Sequence, residues 1–268
     1  MAMAMAEDLS TAQNREKQHD MDLDIPAKDR LIVALDVNNL DEAMGLVNDL
    51  GDTVSFYKVG FELMLHAGLE PVRMLKLHRR KNVFFDLKMD DVKETIIKAM
   101  RGMVELGVDI VTIHGNGDTA KAALEGRGTS PRPKIVQITY LTSLDGDDLR
   151  DLGLLGPGKT FQSVDQYVDY RAAVSIRSGC DGLISSGRNV AELRKKFLPN
   201  WPILICPGIR PAGLGNDDHK RPYTPYESIR DGADYIVVGR PIRDAANRLE
   251  TAQRIIDDIQ RGLDDRAF

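Results

Sequence analysis

The sequence predicts an α/β protein of the (β/α)8 barrel class, a single domain behind a disordered N-terminal extension. Three observations predict it. Short runs rich in β-branched residues alternate with amphipathic helical stretches from Arg30 onward, and eight such runs can be counted. The 268 residues suffice for one large barrel with a sizeable core. No Gly-x-Gly-x-x-Gly follows the first run, which disfavours a doubly wound open sheet.

The first strand is Leu31-Ile32-Val33-Ala34-Leu35-Asp36, followed by a helix over Asp41–Leu50. Val54-Ser55-Phe56-Tyr57-Lys58-Val59 is the second, and the pattern predicts one helix over Glu62–Leu77 behind it. Val83-Phe84-Phe85 leads into the third strand end, and its helix, near Val92–Leu106, carries Ile96, Ile97, Met100, Met103 and Val104 at helical spacing. Ile110–His114 is the fourth strand, Lys134–Tyr140 the fifth and Gly182–Ser185 the sixth. Ile203–Cys206 and Tyr235–Gly239 complete the barrel before a closing helix toward Ile259. Two connections, 141–162 and 207–223, are longer than such loops require and are rich in Gly and Pro. Both follow strands, so both lie on the face where barrels of this kind carry their sites, and both read as lids.

Residues 1–24 form the predicted extension and 25–268 the barrel domain. Six acidic residues against two basic ones in the extension account for most of the net charge of -5, so the domain is close to neutral. That balance gives no reason to expect a nucleic-acid partner. No apolar run approaches the length of a membrane span, and the N-terminus lacks the basic start and apolar stretch of a signal peptide. Cys180 and Cys206 lie beside apolar runs and read as buried free thiols of a cytoplasmic protein.

Chemistry concentrates at strand ends. Asp86-Leu87-Lys88-Met89-Asp90-Asp91 runs Asp-x-Lys-x-x-Asp off the third strand, and residues two apart on a strand share a face. Charged side chains are rarely buried without partners, so the alternation calls for a reason. A lone motif of this kind is usually a structural ion-pair cluster; Asp36 alone could cap a helix and His114 could be a satisfied histidine. Here Asp36, Lys58, Asp86, Lys88, His114 and Thr139 or Thr142 all fall at or just past strand ends, which converges ionisable groups on one mouth. Gly239-Arg240 ends the eighth strand, where barrels commonly hold phosphate. With Pro207-Gly208-Ile209-Arg210 it reads as a phosphate clamp under a lid.

Several runs, in order, resemble orotidine 5′-phosphate decarboxylases over residues 30–261. They are Leu35-Asp36-Val37, Tyr57-Lys58-Val59-Gly60, Asp86–Asp91, Val111-Thr112-Ile113-His114, Leu141-Thr142-Ser143, Pro207–Pro211 and Gly239-Arg240-Pro241-Ile242. The resemblance implies that Lys58, Asp86, Lys88 and Asp91 form an alternating charge network, with Asp91 lent across a homodimer interface. It also implies that Lys88 donates the proton. Asp36 and Lys58 would hold the ribose, Thr142 with Ser143 the pyrimidine, and Gly239 with Arg240 the phosphate of orotidine 5′-phosphate or its product UMP. Arg210 would belong to the closing loop. Neither metal nor organic cofactor is implied.

Two positions depart from the family pattern. Val92-Lys93-Glu94-Thr95 replaces the usual Ile-Pro-Asn-Thr, keeping the substrate contact expected of Thr95 but losing the proline's rigidity. In the second long connection His219 stands where relatives usually carry glutamine; an imidazole there can still donate to phosphate and makes binding pH-dependent. Two rivals stand beside this reading. A magnesium-using sugar-phosphate decarboxylase of the same superfamily would carry glutamate in place of Lys58. A non-catalytic nucleotide-binding barrel would hold UMP without turnover.

Overall fold

A computed structural model describes residues 25–140, 146–197, 202–212 and 223–266. The expected extension over residues 1–24 lies outside them. Eight parallel strands close into a (β/α)8, or TIM, barrel: β1 Leu31–Ala34, β2 Phe56–Gly60, β3 Asn82–Met89, β4 Ile110–Ile113, β5 Lys134–Ile138, β6 Gly182–Ile184, β7 Ile203–Cys206 and β8 Tyr235–Val238. β1 pairs with both β2 and β8, which completes the circle. The expected strands ran one or two residues too far at several C-terminal ends. Asp36, His114, Tyr140 and Gly239 lie just past the strand ends, at the mouth of the barrel.

Helices surround the barrel: α1 Leu40–Leu50, α2 Phe61–Ala67, α3 Glu70–Arg73, α4 Lys93–Glu105, α5 Gly117–Arg127, α6 Gly146–Asp151, α7 Val164–Arg177, α8 Gly187–Lys196, α9 Pro225–Arg230, α10 Arg240–Arg243 and α11 Arg248–Asp264. The single helix expected over Glu62–Leu77 is broken. Gly68, at φ 59°, caps α2 by donating its N–H to the Met64 carbonyl, Pro71 opens α3, and Met74–His78 finishes in a wider π turn. The described part of the first long connection, 146–162, carries structure of its own. It contains α6 and a small core of Leu149, Leu155 and Phe161 packed with Tyr140 and Tyr167.

Strand alternation builds two apolar layers. Ile32, Phe56, Phe84, Ile110, Val136 and Ile205 are among those that fill the barrel interior. Leu31, Val33, Val83 and Phe85 point the other way, into a shell shared with Leu46 and Leu50 of α1 and Ile96, Ile97 and Met100 of α4. Cys180 and Cys206 are both free and buried; burial pushes the Cys206 thiol up to about 12.

The lower rim is held by a device used three times. Gly107-Val108-Asp109, Gly179-Cys180-Asp181 and Gly232-Ala233-Asp234 each precede a strand, and each glycine has positive φ. The three aspartates accept the N–H of Val83, Ile135 and Leu204, each at 2.8 Å, from the preceding strand. Each also pairs with a cation: Lys76, Arg127 and Arg194 respectively. The acid thus ties strand to strand and sheet to helix at one point. The catalytic face of such a barrel is the opposite one, so this is stabilising architecture.

Candidate active site

The inward row that begins with apolar residues turns charged at the mouth. Ile32 and Ala34 are followed on the same face by Asp36, Phe56 by Lys58, Phe84 by Asp86 and Lys88, and Ile110 by Thr112. β1, β2, β3 and β4 are consecutive neighbours in the barrel, so these side chains meet.

They meet as a linear array of alternating charge. Lys58 Nζ lies 2.8 Å from Asp36 Oδ1 and 3.6 Å from Asp86 Oδ2. Asp86 Oδ1 is 2.8 Å from Lys88 Nζ and also accepts the Thr112 hydroxyl at 2.9 Å. The inner pair is enclosed: the Lys58 and Asp86 side chains are 12% and 11% exposed, whereas Asp36 and Lys88 are 39% and 38% exposed. The array therefore has an enclosed centre and two more exposed ends. Gly60 makes room for it, since a Cβ there would stand 3.1 Å from Lys58 Nζ. Gly239 lies against the same group; a Cβ on it would be 3.8 Å from Asp36 Oδ2. Arg243 donates to the Asp36 carbonyl at 2.7 Å, steadying the loop from outside.

Lys88 has φ 52°, a left-handed conformation uncommon for a residue with a Cβ. The β3–β4 ladder slips register between Phe85 and Met89, which places Lys88 in the irregular stretch. Such departures cluster at functional sites.

The other expected residues divide. Asp91 is exposed, accepts the Val92 N–H at 2.6 Å, and does not join the array among the described residues of one chain. Thr95 is exposed in the first turn of α4. Gly239 and Arg240 open the short α10 after β8. Arg210 is buried in the segment that follows β7, its Nη1 donating to the Ile209 carbonyl at 3.0 Å. Thr139 is spent within the barrel, its hydroxyl donating to the Ile184 carbonyl at 3.0 Å. His114 is held below its usual value by partial burial, with Arg171 adding to the effect. Thr142, Ser143 and His219 lie outside the described residues. Thr112 was missed by sequence reasoning; its place two residues after inward-facing Ile110, beside Asp86, is the signal that could have found it. A separate cleft of about 500 Å³ includes Asp36, Glu62 and Arg243 in its lining but not Lys58, Asp86 or Lys88, so it borders the array without containing it.

Among the described residues, no cluster of three or more His, Cys, Asp or Glu is arranged to hold a metal ion. No described helix is long and apolar enough to cross a membrane. The family model described as orotidine 5′-phosphate decarboxylase / HUMPS matches residues 29–255. The chain belongs to this family. Its similarity to the orotidine 5′-phosphate decarboxylase of Nitrobacter winogradskyi is 44% identity over 246 residues, 91% of this chain and 97% of that one. With the enzyme of the same name from Methylococcus capsulatus it is 45% over 232 residues, 86% and 91% of the two chains. A crystal structure of orotidine 5′-phosphate decarboxylase from Lactobacillus acidophilus superimposes with a TM-score of 0.73 at 30% identity, covering 86% of this chain and 99% of that one. Membership of the family makes this protein an enzyme, a lyase.

Proposed function

We propose that the protein decarboxylates orotidine 5′-phosphate to UMP and CO2, with Lys88 as proton donor and no cofactor. The observation that carries this reading is the position of Lys58 Nζ between Asp36 and Asp86. An ammonium there neutralises the carboxylates that a divalent cation would need, which disfavours the magnesium-using reaction of a glutamate-bearing relative.

The residue types suit the chemistry. When the bond from C6 to the carboxylate breaks, the electron pair stays on C6, where no adjacent carbonyl can take it as an enolate. A fixed ammonium at Lys88 stabilises that charge, then gives C6 its proton and recovers one from water. Asp86 holds Lys88 in place and faces the departing carboxylate. Two such anions at roughly 4 Å repel by about 4 kcal/mol at an effective dielectric near 20, favouring expulsion. Asp36 and Lys58 would hold the ribose, Thr95 another part of the substrate, and Thr142 and Ser143 the base. Gly239, Arg240, Arg210 and His219 would close on the phosphate, whose remote binding energy orders the site.

The second carboxylate for Lys88 is Asp91 of a partner subunit in a homodimer. Asp91 is exposed beside Val92, and Phe61 and Leu65 on neighbouring α2 are also exposed, 52% and 77%. These exposed large apolar groups suit contact with a second copy. The protein would work in the cytoplasm, without nucleic acid or membrane.

A spectrophotometric assay with orotidine 5′-phosphate tests the reaction. Wild type should turn it over equally with and without EDTA, and Lys88→Ala should lose about 10³-fold or more of kcat. Chelator-sensitive turnover would reject the metal-free mechanism, and undiminished turnover by the variant would reject Lys88 as acid.

A further inference from the structure

We infer that Thr112 is a positioning residue that holds Lys88 and Asp86 in their working geometry through a single hydroxyl. Thr112 is fully buried on β4 and faces the barrel interior. Its Oγ1 accepts the backbone N–H of Lys88 at 2.7 Å and lies 2.9 Å from Asp86 Oδ1. The same Asp86 oxygen holds Lys88 Nζ at 2.8 Å. One side chain therefore grips both the backbone of the lysine and the carboxylate that aims its ammonium.

The direction of the bonds follows from the groups. An amide N–H can only donate, so the hydroxyl receives it and keeps its own proton for Asp86. That proton suits the ionised carboxylate, which can only accept. The register slip between Phe85 and Met89 explains why a side chain is needed here. Lys88 sits within the slip at φ 52°, its N–H taken by Thr112; the ladder has resumed by Met89, whose carbonyl accepts the His114 N–H at 2.9 Å. A left-handed residue with a Cβ persists only when its surroundings hold it. Valine would fill the same space but could do neither job. Serine could do both.

This inference rests on Lys88 being the proton donor, and the test separates the two ideas. Thr112→Val and Thr112→Ser would be compared with wild type in the full chain by kcat and KM for orotidine 5′-phosphate, thermal melting and hydrogen exchange at the Lys88 amide. The valine variant should melt cooperatively and lose about 10- to 100-fold in kcat, the cost expected of a misplaced catalytic group. Its KM should stay within about threefold. Serine should restore most of the rate, and the Lys88 amide should exchange faster in the valine variant alone. Wild-type kcat in the valine variant, or equal losses in both variants, would overturn the inference. If the valine variant does not fold, Thr112→Ala takes its place, and failure of both to fold would assign Thr112 to structure only. A wild-type protein inert toward orotidine 5′-phosphate would overturn the proposed reaction, while the amide exchange would still report on Thr112.

Discussion

At the scale of single residues, neighbours convert the same chemical group to opposite uses. Asp86 and Asp234 are both buried aspartates beside cations. Asp86 faces lysines at the mouth, whereas Asp234 is enclosed at the base by Arg194 at 2.6 Å and Arg266 at 3.6 Å. Burial by itself would push the Asp234 carboxyl up. Arg194, Arg266, the Leu204 N–H and Arg30 outweigh it and hold the carboxyl below its ordinary value. A carboxyl lowered in the folded state adds stability above its unfolded value, about 3.9, and loses it as pH falls through the folded value. Asp234→Asn should therefore cost about 3–5 kcal/mol at pH 7, leaving buried arginines without their anion. The difference from wild type should shrink below about pH 4. Urea unfolding at pH 7 and pH 3 measures both, and an unchanged difference would refute the assignment.

Individual elements show where local pattern and packing part company. The periodicity of Ile96, Ile97, Met100 and Met103 correctly placed α4, and all four are buried. What the pattern did not show is how tightly α4 seats on α5. A Cβ at Gly126 would lie 2.6 Å from the Ile97 carbonyl oxygen and 2.8 Å from Met100 Cβ, so only glycine fits. Gly126→Ala would be neutral or favourable on helix propensity but should destabilise by about 1–3 kcal/mol through overpacking. Because α4 carries Thr95 in its first turn and follows Asp91 closely, kcat should fall as well; thermal melting and the decarboxylation assay read the two effects. The expected single helix after β2 failed for a related reason. Its apolar spacing was helical, but Gly68 and Pro71 interrupted it, and those local signals prevailed. The repeated Gly-x-Asp at the base was in plain view in the sequence, yet its meaning depended on which strand lay beside each aspartate.

For the whole molecule, the decisive question is whether the site is completed by a second copy. One chain assembles Asp36, Lys58, Asp86 and Lys88 but leaves Asp91 outside the array. If the site is shared, Lys88→Ala and Asp91→Asn should each be nearly inactive alone. Mixed and allowed to re-pair, they should recover toward about a quarter of wild-type activity, since about half the dimers are hybrids and each hybrid has one intact site of two. No recovery on mixing, with exchange of subunits verified, would place both groups in the same chain's site.

The sequence by itself determined the barrel, its eight strands and the identity of the charged residues at their ends. Strand alternation is local, so the row from Phe84 through Asp86 to Lys88 could be assigned to one face from spacing alone. Only the tertiary structure decided how these residues are joined. The slipped β3–β4 register, the left-handed Lys88 and the grip of Thr112 arise where two strands meet. So do the Asp109, Asp181 and Asp234 clamps and the burial of Thr139. Each depends on contacts between segments distant in the chain, and no spacing within one segment encodes them.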